Sequence, residues 1–355
     1  RHYCNVVVFW VWLAQILEAN ASCSKAVSLV QAWCDNAGLP KPSADTGAYC
    51  KARQRLKLDF LQAIRKRVND WLNGSIRTEN KYKGLVVKSI DGSSVQLDDT
   101  AQNQRLYPQP TAQKSGCGFP VMGIMGVLNH AHGGWERFAV GPHTAHDAPV
   151  AHKLLDCFED NDLVCADRAF CSYELIACIG QRGAYSLMRL HQARHRVLDF
   201  RKGKRIRSNE RLVTWKKPVA QPTTSQLSKD EWKELPCTMS VRLIRFEYKD
   251  RAGKKRRMVL ATTLLDSEKY DWQELAALYS QRWDIELRLR DVKTTLGLER
   301  LRVKTPETAH KTLEMAIIAY NLIKATCQEA ARSVGHDIRL MSFKGALDTV
   351  VSVSY

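Results

Sequence analysis

Between Gly84 and Leu190 the chain repeats short apolar and β-branched runs separated by turn signals or helical stretches, and this order constrains the fold more than any other feature. GLVVKSID (Gly84–Asp91) reads as a strand ending at an Asp91-Gly92 tight turn, with SSVQL as the return strand. After a loop over Gln109–Pro120, VMGIMGVL and RFAV read as two more strands, divided by NHAHGGWE. A helix is expected over Pro149–Phe158. DLVCAD (Asp162–Asp167) is a short buried strand ending on an acid, RAFCSYELIACIG a helix, and AYSLMRL (Ala184–Leu190) a further strand. Strand, hairpin, helix, strand, helix, strand describes an α/β fold: a mixed sheet with helices on its faces.

The flanks read differently. Residues 1–73 are expected to form a helical N-terminal domain, from apolar positions at helical spacing in Ala26–Cys34 and Leu58–Leu72, with the loop Gly38–Gly47 between them. Residues 84–190 are the first part of the core. From His191 to Arg257, VTW and SVRLIRFEY suggest strands and hairpins of a separate, basic, β-rich insertion. Residues 258–355 return to the core, with MVLATTLL (Met258–Leu265) as a strand and helix from Asp271 onward. The apolar run Val6–Leu17 is too short to span a bilayer; although Ala19-Asn20-Ala21 resembles a cleavage site, the basic segment before it is thin, so a buried helix is expected. A chain that opens on Arg1 and stops at VVSVSY suggests a fragment.

Charge narrows the partners. The chain carries +17, and residues 191–257 hold 20 Lys and Arg against 7 Asp and Glu, so +13 of the excess sits in 67 residues. Such a field attracts a polyanion, and the segment lacks the sustained apolar face that a membrane surface would require. Nucleic acid is the expected partner. Eleven cysteines form no CxxC pair and include several within apolar runs, which reads as reduced thiols packed as small hydrophobes in a cytoplasmic protein.

The stretch Tyr279–Lys293, YSQRWDIELRLRDVK, adds chemistry. At about 100° per residue, Tyr279, Arg282, Glu286 and Lys293 fall within roughly a 60° arc, so one carboxylate shares a helix face with a phenol, a guanidinium and an ammonium. The plain alternative is a solvated face with ion pairs at i, i+4. Asp91 and Asp167 each end an expected strand, where a third acid on a packed helix can meet them; three carboxylates with waters and a substrate phosphate suffice for two Mg²⁺ ions, with Mn²⁺ a substitute. A turn residue and a helix cap are the structural alternatives for the two aspartates.

IDGS (Ile90–Ser93), ADRAF (Ala166–Phe170) and Tyr279-x2-Arg282-x3-Glu286-x6-Lys293 together resemble the three catalytic blocks of the DDE transposases of the insertion-sequence-four family, and the similarity extends to TGAYCKARQRL near Thr46 and YPQPTAQKSGCGFP near Tyr107. The resemblance implies a ribonuclease-H-like core with a β-rich insertion before the last acid. It implies metal binding and catalysis by Asp91, Asp167 and Glu286, and DNA-end contact by Tyr279, Arg282 and Lys293. It also implies double-stranded DNA with terminal inverted repeats as partner, target DNA as acceptor, a homodimer in the DNA complex, and action on the nucleoid in a bacterial cytoplasm. Where some relatives use a tryptophan to stack a flipped base during hairpin formation, this strand begins with Met258; Trp215 could replace it from elsewhere, but reads better as core.

Other candidates rank lower. Arg168 and Arg189, near strand ends, either orient DNA phosphates or pair with neighbouring acids, and Lys254, Lys255, Arg256 and Arg257 form the basic run assigned to DNA. His143, His146 and His152 fit no common zinc spacing. Cys171 has no base partner to make it a nucleophile. The rival readings are a non-catalytic or domesticated DNA-binding derivative, and a general nuclease on the same fold.

Overall fold

The computed structural model describes residues 2–114, 116–143, 147–249, 253–336, 338 and 341–353. Among these residues ten strands form one sheet: β1 (Val86–Leu97), β2 (Val121–Asn129), β3 (Gly134–Pro142), β4 (Asp162–Ala166), β5 (Tyr185–Arg189), β6 (Lys204–Arg207), β7 (Glu210–Lys216), β8 (Thr238–Lys249), β9 (Lys255–Thr262) and β10 (Arg300–Leu301). Their spatial order is β3-β2-β1-β4-β5-β9-β8-β7-β6, with β10 paired to β1. β1, β4 and β5 are mutually parallel, whereas β2, β3 and the β9-to-β6 series are antiparallel, giving the expected mixed sheet.

Two expectations about these strands change. Asp91-Gly92 is not a turn: β1 runs straight through it for 12 residues, because a nine-position antiparallel ladder with β2, from Lys88↔Asn129 to Gln96↔Val121, outweighs local turn chemistry. The strands of 191–257 also do not form a sheet of their own. β5 pairs with β9, β9 with β8 and β8 with β7, so this basic segment lengthens the core sheet, and β9 begins at Lys255 with Met258 inside it.

The helices are α1 (Asn5–Leu17), α2 (Cys23–Asn36), α3 (Gly47–Arg55), α4 (Leu58–Gly74), α5 (Ala101–Leu106), α6 (Asp147–His152), α7 (Tyr173–Gln181), α8 (Gln192–Arg196), α9 (Lys229–Glu234), α10 (Trp272–Ser280), α11 (Asp284–Arg290), α12 (Pro306–Val334) and α13 (Phe343–Val353). Strand alternation decides which side each covers. Leu163, Cys165, Leu187 and Leu260 point to one face, against Leu275, Leu278 and Tyr279 of α10; further along that face Val95, Leu97 and Ile124 meet α1, α11 and α12. Val164, Ala166, Met188 and Ala261 point to the other, against Leu175, Ile176 and Ile179 of α7.

α12 is the long buried helix behind the site. Thr305 caps it by accepting the Thr308 N–H, Pro306 occupies the first turn, and Lys311, Tyr320 and Lys324 are wholly enclosed along it. α1 packs on it through Val8, Phe9, Trp12, Leu13 and Ile16, with Val6 and Trp10 left exposed. Among the described residues no helix is long and apolar enough to cross a membrane.

One flank of β1 positions the site. β4 pairs with β1 only as far as Ile90↔Ala166, and β10 joins at Gln96↔Arg300. Residues 91–95 therefore face a gap between two strand partners.

Candidate active site

Period-two alternation sets Asp91 and Ser93 on the face of β1 that also carries Val87, and Asp167 on the continuation of the β4 face that carries Leu163 and Cys165. That face is the one α10 and α11 cover. α10 starts where the Asp271 carboxylate accepts the Gln273 N–H at 2.7 Å, and its buried stripe of Leu275, Leu278 and Tyr279 seats it on the sheet. The chain then tightens to a 3₁₀ turn at Gln281–Trp283, resumes as α11, and widens to a π turn at Asp291–Thr295. The uninterrupted helix expected over Tyr279–Lys293 is thus broken twice, and the shared face survives because both breaks remain right-handed and pack on β1.

The side chains converge on β1. Arg282, 6% exposed, donates from Nη1 to Asp91 Oδ2 at 3.0 Å and from Nη2 to Glu286 Oε1 at 3.4 Å. Lys293 donates from Nζ to Ser93 Oγ at 3.4 Å, one step along the same strand face. Asp91 Oδ1 accepts the Gly92 N–H at 2.8 Å. Burial pushes the Asp91 carboxyl above its ordinary range and Glu286 adds to this, outweighing Gly92 and Arg282, which act the other way. Burial opposes the charge of Arg282, yet Tyr279, Asp91, Asp167 and Glu286 together hold its affinity for the proton above normal. Three carboxylates therefore act on one enclosed guanidinium.

Asp167 stands at the head of a 3₁₀ turn, Arg168–Phe170, and its side chain makes no cap hydrogen bond, so the capping alternative fails. Tyr279 is where the expectation of DNA contact meets difficulty. It is 3% exposed, and its hydroxyl donates to the Ala166 carbonyl at 3.3 Å, because the same apolar stripe that seats α10 carries the ring inward. As placed, it supports the strand end that bears Asp167. Among the described residues no three His, Cys, Asp or Glu side chains are grouped closely enough to hold one ion, since Arg282 stands between the acids.

The basic candidates divide. Arg168, Arg189 and Arg257 line one cleft with His195 and Arg196 of α8, two residues that sequence reading passed over although QARHR is a basic helical run. Lys254, Lys255, Arg256 and Arg257 are all exposed, but alternation along β9 turns Lys255 and Arg257 to one face and Arg256 to the other. Arg257 lies 3.6 Å from Glu247 across the β8–β9 pair. Of the discounted residues, His152 Nε2 lies 2.9 Å from Glu174 Oε1 and His146 lies outside the described residues. Trp215 is buried beneath the Arg194 guanidinium, 4.0 Å from its ring centroid, as a core tryptophan.

The sequence model of the transposase DDE domain matches residues 82–322, which include Asp91, Asp167, the signature helix and the strands between them. The chain belongs to the DDE transposase family. It is 26% identical over 287 residues, 80% of its length, to the transposase InsG of insertion sequence element IS4 from Escherichia coli K12, and spans 61% of that protein. Its fold is similar to that of the piggyBac transposase in a synaptic complex with hairpin DNA, with a TM-score of 0.52 at 11% identity, covering 98% of this chain and 70% of that one. The chain accordingly has a ribonuclease-H-like fold.

Proposed function

We propose that this DDE transposase cuts the ends of an insertion element and joins their 3′ hydroxyls to target DNA. The observation that carries the reading is one cation enclosed by Asp91 and Glu286 within the field of Asp167. The hard carboxylate oxygens of Asp91, Asp167 and Glu286 suit Mg²⁺ or Mn²⁺, and these three residues would hold two such ions. When bound, the ions supply the charge that activates water or a 3′ hydroxyl and stabilises the departing oxygen. The chain's own groups do the rest. Tyr279 fixes the strand end behind Asp167, Lys293 sets a positive charge beside Ser93, and Arg168, Arg189, Arg196 and Arg257 form a cleft that holds a DNA backbone. Inverted terminal repeats are the DNA read, two copies of the chain pair two ends, and the enzyme works on the nucleoid of a bacterial cytoplasm.

Binding and nicking of one end-containing duplex, measured together in Mg²⁺, test this. Glu286→Gln, Asp91→Asn and Asp167→Asn should each lower nicking by about 10²-fold or more, as expected when a ligand of the ions is lost, while the duplex is still bound. Nicking by Glu286→Gln at the parent rate would exclude this centre. A parent that binds but never nicks would favour the DNA-binding derivative, and nicking without regard to end sequence the general nuclease.

A further inference from the structure

Arg282 is committed to the acids in this structure. Its two terminal nitrogens reach Asp91 on β1 and Glu286 on α11 at 3.0 and 3.4 Å, while its Nε is buried without a hydrogen-bond partner among the described residues. A guanidinium offers five donors, so a buried orphan at Nε marks a pose fixed by charge and not by full hydrogen bonding. The acids it bridges are those assigned above to the ions, and a dication entering between them is repelled by the guanidinium already there. A way out exists. The Glu286 side chain is 49% exposed and Trp283, the next residue along the 3₁₀ turn, is 45% exposed, so rotation of the Arg282 side chain past Glu286 carries its charge towards solvent without moving β1.

We propose that Arg282 is the resting counter-ion of the carboxylate centre, and that metal entry displaces its guanidinium outward, where it becomes the group that receives a phosphate of the DNA end. This rests on the metal-dependent reading given above. One side chain then couples two events: a centre without ions keeps the arginine from DNA, and a loaded centre presents it. The arginine also competes with the first ion, so its removal should make the centre easier to load.

Mn²⁺ titration of the full chain without DNA, followed by electron paramagnetic resonance of the free ion, tests this directly. Arg282→Gln should bind Mn²⁺ about tenfold or more tightly than the parent, and the gain should vanish in Arg282→Gln/Glu286→Gln. In the parent, duplex affinity should rise with added Ca²⁺, and in Arg282→Gln it should not. If Arg282→Gln loses its cooperative thermal transition, Arg282→Lys takes its place, since one ammonium cannot bridge both carboxylates and a smaller gain in the same direction is expected. Equal or weaker Mn²⁺ binding by the folded variant overturns the proposal and makes Arg282 a scaffold for the acids. Absence of any Mn²⁺ binding that depends on Asp91 and Glu286 overturns the metal reading as well, which separates the two failures.

Discussion

Glu210→Gln should lower the stability of the whole chain, although residue 210 lies in the basic segment far along the sheet from the acids. Glu210 and Arg242 are both fully buried, on neighbouring strands β7 and β8, with Arg242 Nε donating to Glu210 Oε2 at 2.5 Å and Nη1 to the Tyr270 carbonyl at 2.7 Å. Tyr270 immediately precedes the cap of α10, so this pair ties the added strands to the helix behind the acids. Gln keeps the shape and removes the charge, leaving a guanidinium enclosed without its counter-ion. Breaking a buried pair costs about 3–5 kcal/mol, and retention of one amide acceptor places this change near 3. At about 2.1 cal/mol/K of unfolding entropy per residue, a chain of 355 residues should lose about 4 °C in Tm. Circular dichroism melts of the parent, Glu210→Gln and the apolar pair Glu210→Leu/Arg242→Met would measure it, with the apolar pair regaining most of the loss. A single variant within about 1 °C of the parent, or an apolar pair no better than the single change, would refute the reasoning. A transition split in two would show that the added strands do not melt with the core.

Replacing Lys254, Lys255, Arg256 and Arg257 by alanine should flatten the dependence of log K on log salt by about 0.9 for each phosphate that these side chains neutralise. Because β9 divides the run between two faces, the change should stay below the value for a run that neutralises one phosphate per residue, as fluorescence anisotropy across a salt series would show. Gly297 adopts φ +67° and a Cβ there would overlap the Ala19 backbone, so Gly297→Ala should cost about 2 kcal/mol or more in a urea melt, loosening α1 from the turn after Lys293. Glu136 carries an acid effect: burial alone would raise its carboxyl, but His132, Lys88 and Asn129 bring it down to about 2. Its stabilisation is complete above the unfolded value near 4.5 and is lost as pH falls through about 2. It amounts to about 3 kcal/mol, so acid melts of Glu136→Gln should show a weaker dependence over that window.

Much of the fold was legible because burial and period agree along most elements. DLVCAD became β4 and AYSLMRL became β5, as strands buried on both faces require. Asp91-Gly92 misled because turn chemistry is local, whereas the ladder to β2 depends on a segment about 30 residues away. The place of 191–257 in the core sheet was hidden for a related reason: composition reveals strands but not which edge they join. Within the site, spacing alone brought Arg282, Glu286 and Lys293 to one face, yet the engagement of Arg282 with Asp91 needed β1. The burial of Tyr279 had a signal in Leu275 and Leu278, which place it on an apolar helical stripe.

The unfilled flank of β1 bears on how the first acid is held. Val86 N–H reaches Asn161 and Gln96 N–H reaches Glu299, so the even-numbered amides of β1 turn towards this side, and Gly92 carries the first of them beyond the end of β4. Its N–H, denied a neighbouring strand, is taken by the Asp91 carboxylate. One oxygen of Asp91 thus does the work of a missing strand, while the other is left to face the cation. The backbone is held firmly by β2 on its far side, so the carboxylate can trade one partner for another without the strand giving way.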